Sequence, residues 1–247
     1  MKVVGLVSGG KDSCYNLMKC VEDGHEIVCL GNLHPSEGKQ EIDSYMYQSV
    51  GHDGVKHYAE AFGLPLYRQE ITGTPVNVES EYNLTKEDEV EDLFLLLKRI
   101  QKAQPDIEAV SAGAILSSYQ KVRVENVCAR LGLTPLCYLW ERNQEELLDE
   151  MIAAGVDAVL IKVAAMGLSS KHLGLTLAEA RETLHKLSNS YGVHVCGEGG
   201  EYESFVVDCP LFKRRIVIEE SEVITHSEDP FAPVFYLKFT NLSLRDK

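Results

Sequence analysis

Positive charge is what this 247-residue chain has least of: 24 lysines and arginines stand against 38 aspartates and glutamates, a formal net charge of −14. Sequence-independent grip on nucleic acid runs on clustered cations. Direct nucleic-acid binding is therefore not expected, and any polyanion must be held by a local device. Long apolar runs are also missing. The longest, residues 156–168, is broken by Asp157 and Lys162 and is too short to span a bilayer, so no membrane association is expected. Residues 3–7 are too few for a secretory signal and lead straight into Gly9, Gly10, Lys11 and Asp12. The seven cysteines contain no C-x-x-C pair, and reduced thiols in a cytoplasmic protein are the simplest reading. His194, Cys196 and the distant Cys209 form the one cluster worth naming, and their spacing is poor for zinc. G-x-G-x-x-G and G-x-S-x-G are absent as well, which removes support for a dinucleotide fold and for a hydrolase elbow. With 45% hydrophobic and 25% charged residues, the composition is that of an ordinary globular chain.

The remaining pattern alternates. Short β-branched runs at 2–7, 26–30, 64–71, 107–112 and 135–139 are separated by helical periodicity between the Gly turn and Gly24, and at 52–62, 86–102 and 119–131. In the first helix Cys14, Leu17, Met18 and Val21 recur at i, i+3, i+4 and i+7. This alternation predicts a Rossmann-like α/β fold, a five-stranded parallel sheet with helices on both faces. After Trp140 the texture changes. Helices at 143–153 and 176–190, a strand at 156–163, and three later strand-like runs predict a smaller α+β domain. We place the division at 1–140 and 141–247. Asn143 with Glu146, and Thr176 with Glu179, have capping-box spacing.

The sharpest signal is Ser8-Gly9-Gly10-Lys11-Asp12-Ser13, set between a strand and a helix. Glycines let backbone N–H groups approach a phosphate, and a helix N-terminus adds unpaired donors and partial positive charge. Lys11 supplies a full charge, and Asp12 can hold Mg²⁺ beside the phosphates. Gly5 to Lys11 fits G-x-x-x-x-G-K, but Asp12 stands where a Walker loop needs Ser or Thr. The six residues resemble the pyrophosphate loop of the N-type ATP pyrophosphatases, an adenine nucleotide alpha hydrolase-like superfamily. That resemblance implies attack at the α-phosphorus of ATP and an adenylated intermediate.

Three further segments narrow it: residues 43–52 (DSYMYQSVGH), residues 113–128 (GAILSSYQKVRVENVC) with 135–140, and residues 197–205 (GEGGEYESF) with 208–212. Together with the loop they resemble the diphthine–ammonia ligase family over nearly the whole chain. The resemblance implies activation by ATP and Mg²⁺ of the carboxylate of diphthine, a modified histidine on translation elongation factor 2. Ammonium then supplies the amide nitrogen, and AMP and pyrophosphate leave. Some fungal and plant members carry an extra C-terminal domain without counterpart here, so only the ligase core is expected.

The resemblance assigns Ser8, Gly9, Gly10, Lys11, Asp12, Ser13 and Gly113 to ATP, with Lys11, Asp12, Arg123 and Glu201 as catalytic groups. By spacing alone Arg123 shares a helix face with Tyr119 and Gln120, although a surface ion pair with a nearby glutamate would explain it as well. Diphthine carries a trimethylammonium group, which carboxylates and aromatic faces suit. Tyr45, His52, Tyr119, Glu198, Tyr202 and Glu203 are the candidates for holding it, and a carboxylate in the 197–203 loop can take a proton from ammonium. The phosphate loop is expected to face the surface, so that Lys11 and Asp12 can be replaced without unfolding. Two other readings are a tRNA-modifying adenylase of the same superfamily and a non-catalytic adenine-nucleotide sensor. The acidic charge and missing C-x-x-C oppose the first, and turnover separates out the second.

Overall fold

The computed structural model describes residues 1–36, 44–229 and 231–247; Asp43, at the head of one motif segment, lies outside them. Five strands, β1 (Lys2–Leu6), β2 (Glu26–His34), β3 (Leu66–Glu70), β4 (Ala109–Ser111) and β5 (Thr134–Leu136), form a parallel sheet in the order β3-β2-β1-β4-β5. Strand order reverses at β1, and in such sheets ligands bind beyond the carboxyl ends at that switch point. Helices α1 (Lys11–Glu22), α3 (Glu89–Ala103) and α4 (Ser118–Leu131) cover both faces. Adjacent β1 residues show this division: Val3 packs with Cys20 of α1, whereas Val4 packs with Leu93, Leu97 and Val127 of α3 and α4.

The helix expected over 52–62 divides in two: residues Gly54–His57 are a 3-10 turn and α2 is Tyr58–Phe62. Gly54 has the ring of Phe205 2.6 Å from where a Cβ would sit, so the chain enters tightly here. The other helix ends follow their caps. Asp88 and Ser117 accept from the backbone N–H of Val90 and Gln120, at the starts of α3 and α4.

Beyond β5 come α5 (Gln144–Ala153), β6 (Asp157–Val163) and α6 (Leu177–Tyr191), then β7 (Tyr202–Asp208), β8 (Arg214–Ser227) and β9 (Val234–Asp246). The last strands join β6 in an antiparallel sheet of order β7-β6-β9-β8. Thr176 and Glu179 form a full capping box. Asn143 caps α5 alone, accepting from Glu145 and Glu146 N–H. One continuous apolar core joins the two sheets: Cys14, Leu17 and Tyr58 from the first half pack in the same cluster as Leu160, Phe205 and Phe212 from the second.

Arg130 of α4 grips Glu91 of α3 through two bonds of 2.8 and 2.7 Å. Those bonds, helped by the Tyr82 hydroxyl, hold the Glu91 carboxyl below the ordinary glutamate range. A depressed folded-state pKa means stability that is present above the unfolded pKa, near 4.3, and lost as pH falls through the folded value. Arg130→Met should cost about 1–2 kcal/mol at pH 7. The difference between the variant's and the native protein's urea midpoints should shrink below about pH 4. An unchanged difference down to pH 3 would contradict this account.

Candidate active site

A cleft of about 670 Å³ opens at the carboxyl ends of β1, β2 and β4. Leu6, Leu33, Leu93 and Val124 supply apolar wall, and Ser8, Lys11, Asp12 and Ser13 supply the polar side. The far wall belongs to the second half of the chain, residues 196–200 and 202–204.

The phosphate loop is anchored from that far wall. The Gly9 carbonyl accepts from Val206 N–H at 2.8 Å and from the Tyr58 hydroxyl at 2.8 Å. Gly9 sits at φ +100°, a conformation that favours glycine, with Phe205 3.1 Å from its absent Cβ. Gly10 has the Gln48 side-chain oxygen 2.7 Å from the corresponding point. Ser13 Oγ donates to the Gly10 carbonyl at 2.9 Å and closes the turn. Gly113 is nearest not to open cleft but to the first turn of α1. A Cβ there would stand 2.6 Å from the Asp12 carbonyl carbon and 2.7 Å from Ser13 N. Its missing side chain lets two backbone segments touch at the switch point.

Lys11 is 2% exposed, which corrects the expectation of a surface-facing loop. Its backbone N–H donates to Ser204 Oγ at 3.1 Å. Its ammonium donates to Asp12 Oδ2 at 2.9 Å and to the Cys196 carbonyl, and sits 5.0 Å from the centre of the Tyr202 ring. Burial works against the charge, but the Asp12 carboxylate and the neighbouring Tyr202 and Cys196 groups outweigh it and hold the lysine pKa above its usual value. Burial pushes the Asp12 carboxyl up, with Lys11 opposing. Asp12 Oδ1 is buried with no hydrogen-bond partner among the described residues.

The remaining candidates divide. Tyr45, Tyr119, Glu198, Tyr202 and Glu203 all line the cleft. Tyr45 is 64% exposed and meets Tyr119 edge-on, with ring centres 5.7 Å apart. Glu198 accepts from Leu116 N–H at 2.8 Å and Ser117 N–H at 3.2 Å, so it fastens the far wall to the start of α4. Glu203 pairs with Lys162 at 3.2 Å. Glu201, in contrast, is absent from the cleft wall. Its oxygens accept from His194 N–H at 2.9 Å and Gly199 N–H at 2.8 Å, so it staples its own loop. His52 is also outside the lining, buried and stacked on His34 with ring centres 6.3 Å apart.

Arg123 is fully buried, and no acidic side chain among the described residues is its hydrogen-bond partner. Its guanidinium lies 3.3 Å from the Tyr119 ring centre and donates to the carbonyls of Tyr119, Asn77 and Glu79. It therefore holds the 77–79 loop, whose Val78 lines the cleft, and is neither in the lining nor in a surface ion pair.

Sequence reasoning missed four contributors. Gln48 reaches the Ser204 carbonyl at 3.1 Å, Ser204 takes the Lys11 amide, Cys196 acts through its carbonyl, and Gln120 donates to the Met46 carbonyl at 3.1 Å. Gln48, Ser204 and Gln120 lie inside motif segments, but a carbonyl partner leaves no mark in a sequence. Burial pushes the Cys196 and Cys128 thiols up to about 12, so neither is an activated nucleophile. No group of three or more His, Cys, Asp or Glu suited to a metal occurs among the described residues. No helix among them is long and apolar enough to cross a membrane.

Comparison with known proteins agrees with this architecture. Residues 1–135 match the family described as diphthamide synthase N-terminal domain, and residues 143–234 match the diphthamide synthase C-terminal domain. A diphthine–ammonia ligase of Danio rerio is 58% identical over 250 residues, covering 100% of this chain and 98% of the relative. The Homo sapiens relative of the same name is 57% identical, covering 100% and 94%. The one from Saccharomyces cerevisiae is 49% identical over 230 residues, which is 34% of its own length. Matched through both halves, and identical at more than half its positions to relatives of nearly equal length, this chain belongs to the diphthamide synthase family.

Proposed function

We propose that this cleft uses ATP to join ammonia to the carboxylate of diphthine on translation elongation factor 2, in the cytoplasm. Residues 1–140 form the nucleotide unit, and 141–247 supply the wall that faces the protein substrate. The observation that carries the reading is the junction at Lys11. A glycine turn built for phosphates is locked to the loop rich in carboxylates and aromatics, so nucleotide and acyl substrate meet in one cleft.

A carboxylate resists ammonia because its oxygen is a poor leaving group. Attack of that oxygen on the α-phosphorus expels pyrophosphate and makes an acyl-adenylate. Ammonia then adds at the acyl carbon, AMP leaves, and the nitrogen gives up a proton. The first turn of α1, through the Asp12 and Ser13 amides, offers backbone N–H groups to the departing pyrophosphate, while the Lys11 amide is held by Ser204. Lys11 supplies positive potential from one step behind, and steers the far wall. The apolar wall of Leu6, Leu33 and Val124 suits an adenine ring. Tyr45 and Tyr119, with Glu198 and Glu203, present aromatic faces and negative charge to the trimethylammonium group.

Mg²⁺ fits Asp12, whose Oδ1 is buried without a hydrogen-bond partner among the described residues. One carboxylate with substrate phosphates is a common donor set for this ion. When bound, the ion neutralises charge on the leaving pyrophosphate.

Purified protein incubated with ATP, Mg²⁺, ammonium and diphthine-bearing elongation factor 2 should yield AMP, pyrophosphate and amide in equal amounts. ADP and phosphate, or bound ATP without turnover, would overturn the reading. Asp12→Ala should lower AMP formation about 100-fold or more in the same assay.

A further inference from the structure

We propose that His194 is a positioning residue for the ligase reaction: its ring nitrogen Nδ1, acting as an acceptor, shapes the loop that delivers Cys196 and Glu198 to the first half of the chain. This inference rests on the function proposed above. Nδ1 accepts from Cys196 N–H at 3.2 Å and, over a longer 3.5 Å, from Glu198 N–H. The turn is tightened by Gly197 N–H donating to the His194 carbonyl at 2.8 Å.

Both residues that His194 holds reach across the cleft. The Cys196 carbonyl takes the Lys11 ammonium. The Glu198 carboxylate takes Leu116 and Ser117 N–H, just before α4. One ring atom therefore organises two of the links between the far wall and the first half, one to Lys11 and one to the α4 start. Glu201 holds the same segment from the other side, through His194 N–H and Gly199 N–H.

An acceptor at Nδ1 requires the neutral ring with its proton on Nε2. That Nε2 is buried and has no partner among the described residues. Burial holds the His194 pKa below the usual histidine value, with Lys11 also lowering it and Glu201 and Asp12 opposing, so the acceptor form prevails at neutral pH. The phosphate turn has its own anchors, Tyr58 on Gly9 and Ser13 on Gly10. Loss of the His194 acceptor should therefore disturb the far wall and leave nucleotide binding in place.

Side-chain geometry supplies a clean test. An Asn side-chain oxygen sits at the δ position and replaces Nδ1, whereas a Gln oxygen sits one atom further out, and Leu has no acceptor. His194→Asn should keep kcat for amide formation within about threefold of the native value. His194→Gln and His194→Leu should lose about tenfold or more in kcat, with ATP affinity by calorimetry unchanged. Hydrogen exchange of the Cys196 and Glu198 amides, which needs no turnover, should be slow in the native protein and His194→Asn and fast in His194→Leu. Equal kcat in Asn and Leu variants, or a loss carried by ATP affinity, overturns the proposal. If the native protein makes no amide, the ligase reading fails, and the exchange pattern alone then decides whether His194 shapes the loop.

Discussion

Lys11→Ala should reduce formation of AMP and pyrophosphate by at least about 100-fold, the scale on which loss of one preorganised charge-stabilising donor is felt. The same change should destabilise the protein by about 3 kcal/mol, because removing one partner of a buried pair leaves the other uncompensated. Lys11 is 2% exposed, and its side chain has partners in both halves: Asp12 beside it, and the Cys196 carbonyl and Tyr202 ring across the cleft. Without it, the Asp12 carboxyl loses the group that opposes its rise in pKa. Less of it is then ionised, and its usefulness to a metal ion falls. Lys11→Arg is the informative companion. Guanidinium keeps the charge but does not fit a pocket shaped around a compact ammonium, so it should restore little. Urea midpoints and AMP yield measured on the same preparations check both parts. Normal turnover in a folded Lys11→Ala protein would remove the cleft junction from the mechanism.

Gly113→Ala should damage both the stability of the first half and ATP turnover. Its Cβ would stand 2.6 Å from the Asp12 carbonyl carbon, 2.7 Å from Ser13 N and 2.8 Å from the Asp12 carbonyl oxygen. All three are backbone atoms, which cannot rotate away as a side chain can. Overpacking costs about 1–3 kcal/mol in well-packed sites, and this site belongs at the upper end. The relief available is a shift of the first turn of α1 away from β4, which carries Asp12 and Ser13 with it. Activity should therefore fall about tenfold or more even in the fraction that stays folded, since small displacements of positioned groups are costly. Gly132→Ala is the control. It closes α4 at φ +67° with nothing within 4 Å, so it should cost about 1 kcal/mol of strain and leave ATP turnover alone. Equal effects at the two glycines would remove the close contact with the first turn of α1 as the reason Gly113 matters.

The amino-acid sequence alone determined the alternating α/β architecture and marked the Gly-Gly turn after the first strand as the candidate phosphate site. Both follow from local rules: a period of 3.6 or 2, a Gly-Gly turn between a strand and a helix, and capping residues at helix starts. Asp88, Ser117 and Thr176 begin their helices as such residues do. The motif segments also singled out the loop at 197–205, most of which lines the cleft. Which acids in that loop face the cleft was not legible. Glu198 and Glu203 do, and Glu201 turns back to its own backbone, because Gly199 and Gly200 let the chain change direction between Glu198 and Glu201. Arg123 was equally ambiguous, since periodicity places it on a helix face without saying that its partners are carbonyls of a loop 44 and 46 residues away.

Only the tertiary structure decided that Lys11 is buried and shared between the halves. Its partners Cys196 and Ser204 are 185 and 193 residues distant in sequence, and one of them is a backbone carbonyl that every residue type possesses. Contacts of that kind depend on how two sheets pack around one apolar core. That packing is a property of the whole chain, which no short window of residues carries.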